Sequence, residues 1–175
     1  MKDTIPDEKV EILRDNCNNL RDRALIDFLL STGIRVGELV RLNIDNIDFS
    51  ERECVVYGKG DKERKAYFDA KTHLLNYIES RTDDNSALFV SLNKPHSRLT
   101  ESGVELRLRE MGKKLGVEKV HPHKFRRTMA TRAIEKGMPI EQVQKILGHE
   151  QIDTTLRYAM VNQNNVKLSH RKFIS

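Results

Sequence analysis

Four side chains able to handle a phosphodiester lie in one stretch, residues 121–160: His123, Arg126, His149 and Tyr158. A plain helical core has no use for two imidazoles, a guanidinium and a phenol in that order. His123 and Arg126 are spaced i and i+3, so on one helix they share a face and can converge on one group. They also fall in the first turns of that helix, where free N–H groups and the macrodipole favour an anion. An arginine fork can hold two phosphate oxygens at once. His149 follows the helix stop Gly148, and Tyr158 comes nine residues later on a terminal amphipathic segment. We read the stretch as half of an active site for a phosphodiester, with the Tyr158 phenol as nucleophile.

The rest of the chain has to supply the cationic complement. Arg35 sits in the run STGIRVGEL, just after a helix stop at Gly33, and Glu38 three residues on can pair with it. Lys59 stands between Gly58 and Gly60, where a flexible backbone lets a turn reach a ligand. Each residue alone has an ordinary explanation. His123 can be a capping residue, His149 a cation at a helix end, Tyr158 a half-buried core ring, Arg35 one half of a surface ion pair, and Lys59 a solvated turn charge. What needs explaining is the whole ordered set.

The elements that must position these residues follow from pattern. Asp7 is expected to cap a first helix reaching about residue 16, with Val10, Ile12 and Leu13 apolar. Residues 20–31 carry a strongly apolar helical stripe, stopped at Gly33. A short helix is expected over 36–42. The period then changes. Residues 53–57 (ECVVY) and 65–69 (KAYFD) are β-prone, and GKGDKER between them is a hairpin signal. Residues 88–91 (LFVS) are expected to form a third strand, after a helix over 71–81. Thr100 should cap a helix running to 115, ended by Gly116. Pro122 suits the first turn of a helix over 122–136, Pro139 starts another that Gly148 stops, and a last one is expected over 153–160. The expected class is α+β, mainly helical, with a small three-stranded antiparallel sheet in a single domain over residues 1–175.

Composition narrows the partners. With 38% hydrophobic and 33% charged residues, the chain is globular, not membrane-like or disordered. A net charge of +5 permits a nucleic-acid partner without requiring one. No apolar run approaches the roughly 20 residues of a membrane span. Cys17 and Cys54 lack partners at metal or disulfide spacing, which suits a reducing cytoplasm. His121 and His123 lack a credible third ligand, and no carboxylate cluster has two-metal spacing, so neither metal nor other cofactor is expected.

Taken in order, TGIRVGEL, GKGDKER, HKFR, LGH and TTLRY resemble the boxes of the tyrosine recombinases, the phage integrase family. The resemblance covers about residues 7–161. It implies that Arg35 is the first catalytic arginine, Lys59 the β-hairpin lysine, His123 and Arg126 the His-x-x-Arg pair, His149 the late histidine and Tyr158 the nucleophile. It also implies a supporting role for Glu38. Arg127 departs from the pattern, because relatives often carry a second histidine there. Lys62, Arg64, Lys124 and Arg127 are candidates for DNA phosphate contacts by location.

The chemistry fits these roles. Two guanidinium groups strengthen their hold on the non-bridging oxygens as charge grows in the transition state. A free phenol has a pKa of about 10, so Tyr158 needs a proton acceptor, for which His123 is suited. Lys59 can protonate the leaving 5′ oxygen. The resemblance implies double-stranded DNA as partner, a tetramer on two sites for a full-length enzyme, and an N-terminal clamp domain outside this chain, which alone would be monomeric or weakly associating. Residues 162–175 are expected to dock on a neighbouring protomer. A type IB topoisomerase and a non-catalytic DNA-binding module remain as alternatives at this stage.

Overall fold

The helix at the centre of the molecule is α2 (Leu20–Thr32), buried along nearly its whole circumference. It packs against α1 (Asp7–Asp15), α4 (Thr72–Ser80) and α6 (Pro122–Glu135). The structure, a computed structural model, describes residues 4–58, 60, 62–69, 71–148 and 163–174. Total burial of α2 brings charges inside. Asp22 is fully buried and accepts from Arg21 at 2.8 Å and from Arg107 at 2.7 Å. Burial alone would raise this carboxyl, but the bonds from Arg107 and Arg21 outweigh it and hold the group below its ordinary value. Arg107 lies on α5 (Glu101–Leu115), so the same contact ties α5 to α2.

Between α2 and α6 the chain makes α3 (Val36–Arg41), a 3-10 turn (Ile44–Asn46) and the sheet. Strands β1 (Ile47–Asp48), β2 (Glu53–Tyr57) and β3 (Glu63–Tyr67) form an antiparallel sheet in the order β1-β2-β3. Cys54, Val56 and Ala66 face the core. The three-stranded antiparallel sheet is as expected, but its third strand is not. Residues 88–91 make one isolated bridge, Val90 to Arg98, and Ala87 just before them makes another, to Asn43. That segment is buried on both faces, and its polar backbone is satisfied elsewhere: the Val90 amide donates to the Tyr77 hydroxyl at 3.0 Å, and Arg81 donates to the Ala87 and Leu88 carbonyls. The actual third strand, Ile47–Asp48, is too short to show a period in sequence.

Two further differences matter for the site. β3 begins at Glu63, two residues earlier than the pattern predicts, so Glu63 and Arg64 belong to the strand and not to the turn. And Asp7 is the first residue of α1 and not its cap; Pro6 takes the cap position, while the Asp7 carboxylate pairs with Arg132 of α6. The glycine stops are as expected. Gly33, Gly116 and Gly148 each close a helix in the left-handed region.

A second, smaller core joins α6 to α7 (Ile140–Leu147) through Ala130, Ile134, Val143 and Leu147. A final described helix covers Gln163–Phe173. The helix expected over 153–160 lies outside the described residues, and no described helix is long and apolar enough to cross a membrane.

Candidate active site

Arg35 owes its place to the stop before it. α2 ends at Gly33 with φ of +64°, and a β-carbon there would lie 2.9 Å from Leu147 Cδ2 and 2.3 Å from Met129 Cε. Glycine therefore serves twice, allowing the left-handed turn and the close approach of α6 and α7. Ile34 anchors the turn in the core, and Arg35 caps α3 with its side chain exposed. The Arg35 backbone amide donates to Glu38 Oε1 at 2.9 Å. Glu38 was expected to pair with the Arg35 guanidinium. Its ion partner is instead Arg64, whose Nη2 lies 2.8 Å from Oε1 and whose Nε lies 3.2 Å from Oε2.

Arg126 is the most deeply placed of the described candidate residues, only 3% exposed. Its Nη1 donates to the Gly33 carbonyl at 2.7 Å and its Nη2 to the Leu147 carbonyl at 2.6 Å. Both carbonyls stand at helix C-termini, where a cation is favoured by the dipole as well as by the hydrogen bonds. One guanidinium thus joins the ends of α2 and α7 to α6. A guanidinium carries five N–H groups, so these two bonds use only part of what it can donate.

His123 sits in the first turn of α6 with its ring exposed. Pro122 supplies the preset φ of the first helical position, and His121 before it caps the helix, Nδ1 accepting from the Lys124 amide at 3.3 Å. In sequence His121 stands out only as half of a metal pair, although its position before Pro122 is the signal for a cap.

Arg35, His123 and Arg126 line one open cleft of about 2050 Å³, together with Glu38, Lys62 and Arg64. Gly58 and Gly148 line it too, the residues directly preceding Lys59 and His149. Lys59, His149 and Tyr158 themselves lie outside the described residues. Lys62 is exposed at the rim. The Lys124 ammonium donates to the Glu118 carbonyl at 3.0 Å, and Arg127 is half-buried on α6. Sequence reasoning missed further cations that line the cleft, Arg109 and Lys113 of α5 and Lys119 beyond it. The i, i+4 spacing of Arg109 and Lys113 on one face was the available signal.

The cleft has no thiol chemistry to offer. Cys54 lies in β2 with its side chain in the core, where burial pushes its thiol up to about 12, so it stays protonated near neutral pH. What the cleft does present is the Arg35 and Arg126 guanidinium groups and the His123 imidazole, with further cations and several carboxylates such as Glu101 and Glu105 around the same solvent-open space. That arrangement can bind a polyanionic backbone and concentrate positive charge at one phosphate.

Residues 4–165 match the sequence model of the Phage integrase family. A tyrosine recombinase, XerC of Staphylococcus aureus, is 38% identical over 159 residues, covering 88% of this chain and 53% of its own. The chain thus spans about half the length of the curated relatives it matches. Among solved structures, XerA recombinase superposes with a TM-score of 0.81 at 32% identity, covering 98% of this chain and 64% of that one. XerH site-specific recombinase, solved bound to its difH substrate before cleavage, shares the fold with a TM-score of 0.73 at 23% identity, over 98% of this chain and 54% of that one.

Proposed function

Because the chain belongs to the phage integrase family of tyrosine recombinases, we propose that it is the part of a site-specific DNA recombinase that breaks and rejoins strands. What supports this most is the convergence of Arg35, His123 and Arg126, drawn from distant parts of the chain, on a single cleft. Double-stranded DNA is the partner, and the cytoplasm the compartment. Strand exchange between two sites, with a tetramer spanning them, is proposed for the whole protein.

In the reaction, the Tyr158 phenolic oxygen bonds to phosphorus while the bond from phosphorus to the 5′ oxygen breaks. The phenolic proton passes to His123, and the leaving oxygen takes a proton from Lys59. Arg35 and Arg126 hold the non-bridging oxygens, and His149 adds a hydrogen bond to them. One phosphoester replaces another, so the step is reversible by a 5′-hydroxyl of a second strand without ATP or metal. Lys62, Lys124 and Arg127 serve DNA affinity through the phosphates.

A duplex nicked just downstream of the cleavage point loses the short fragment that carries the freed 5′-hydroxyl, which traps the covalent product. The 175-residue chain should form that 3′-phosphotyrosyl adduct, and Tyr158→Phe should form none. Arg35→Ala should slow it by about 10²–10³-fold. An adduct that persists in Tyr158→Phe, or no adduct with the unaltered chain, would overturn the assignment.

A further inference from the structure

All three nitrogens of the Arg64 guanidinium are engaged inside the protein. Nε and Nη2 fork the two oxygens of Glu38 at 3.2 and 2.8 Å, and Nη1 donates to the Ile146 carbonyl at 2.7 Å. The Arg64 side chain is 17% exposed and that of Glu38 4%. Its stem presses on the turn after α7, since a β-carbon on Gly148 would lie 2.6 Å from both Cδ and Nε. Strand register explains the orientation. Arg64 is two residues from the fully buried Ala66 and pairs opposite Val56, so period two turns it inward.

The same Glu38 oxygen that meets Arg64 Nη2 also accepts the Arg35 amide. Arg64 therefore links three segments through one planar group: β3, the Arg35 turn and the C-terminal end of α7. Arg35 is held differently. Among the described residues no hydrogen bond or ion pair engages its guanidinium, so its placement depends on its backbone, and its backbone is pinned by Glu38. An arginine neutralised by a buried carboxylate is poorly suited to gripping phosphate. It is well suited to bracing the residue that does.

We propose that Arg64 is a positioning residue that acts through Glu38 to set the Arg35 turn against the end of α7, and is not a DNA ligand. The inference rests on the reading of Arg35 as a phosphate-binding group. A lysine at position 64 keeps the charge and could satisfy a phosphate, but it cannot fork a carboxylate and reach a carbonyl at once.

The test uses the 175-residue chain and the nicked duplex in two forms, one with an ordinary scissile phosphodiester and one with a methylphosphonate there. The methyl group removes the negative charge that Arg35 has to neutralise. For Arg64→Lys we expect DNA affinity within about two-fold of the unaltered chain, as for a residue that makes no phosphate contact. Adduct formation on the phosphodiester should fall by about 30-fold or more, a substantial part of what losing an oxyanion contact costs. On the methylphosphonate the deficit should shrink markedly, as it should for Arg35→Ala. Glu38→Gln should behave like Arg64→Lys. The ratio of rates on the two duplexes does not depend on how much of a variant is folded, so a loss of stability leaves it unmoved. A deficit of Arg64→Lys that is equal on both duplexes, or that is matched by a fall in DNA affinity, overturns the inference while leaving the function intact. A deficit of Arg35→Ala that the methylphosphonate does not relieve overturns the phosphate-binding reading of Arg35, and this inference with it.

Discussion

Replacing Arg126 by methionine asks whether a buried guanidinium is kept for chemistry alone or also holds the fold. Methionine is flexible and similar in length, so packing changes little, but it donates nothing. The Gly33 and Leu147 carbonyls, now bonded at 2.7 and 2.6 Å, lose their donors. Each buried acceptor left without a partner costs about 1–3 kcal/mol. Against this, the folded state no longer has to desolvate a cation, which returns part of the loss. A net destabilisation of about 2–4 kcal/mol follows. In a chain of this size 1 kcal/mol shifts Tm by about 2–4 °C, so Tm should fall by about 4–16 °C. Thermal and urea unfolding followed by circular dichroism measure this directly, without DNA. Arg126→Lys, which keeps one charge and can serve at least one carbonyl, should fall between the two. Should Arg126→Met unfold at or above the Tm of the unaltered chain, the guanidinium would be a burden on the fold maintained for catalysis, and its role as the tie between α2, α6 and α7 would be wrong.

Two other outcomes follow from the same structure. Gly33→Ala should lose about 1–3 kcal/mol in urea unfolding, because its φ of +64° disfavours a side chain and its β-carbon would press on Leu147, whereas the equivalent change at Gly116, also left-handed but with open space around it, should cost only the conformational part. Acid should weaken the fold in a defined window. Hydrogen bonds from Arg81 hold the Asp83 carboxyl down to about 2 from an ordinary 3.8, and Asp22 is lowered as well. Because these carboxyls bind protons less tightly when folded, their contribution is complete above the unfolded value near 3.8 and fades as pH falls toward 2. The urea midpoint should therefore drop between pH 5 and pH 3, and Asp83→Asn, less stable at pH 5, should drop less over that interval; an unchanged slope in the variant would refute the assignment.

Local signals and distant ones separate cleanly in this chain. The helix stops at Gly33, Gly116 and Gly148, the Thr100 cap and the start of α6 at Pro122 were all legible, because each is decided within one turn of backbone. Residue types and order also pointed to Arg35, His123 and Arg126 as one set, and the structure lines a single cleft with all three. The β3 start was misplaced by two residues, and with it the direction of Arg64, because a charged residue at the edge of a turn looks solvated until strand pairing turns it inward.

Sequence alone thus determined the family and the class of the fold, because these rest on residue identity and on periodicities a few positions long. Tertiary structure decided which partner each charge takes. Glu38 meets an arginine 26 positions away, and Arg126 meets carbonyls 93 and 21 positions away. Such pairings depend on how α2, α6, α7 and the hairpin close around one another, and chain closure over those distances leaves no local mark.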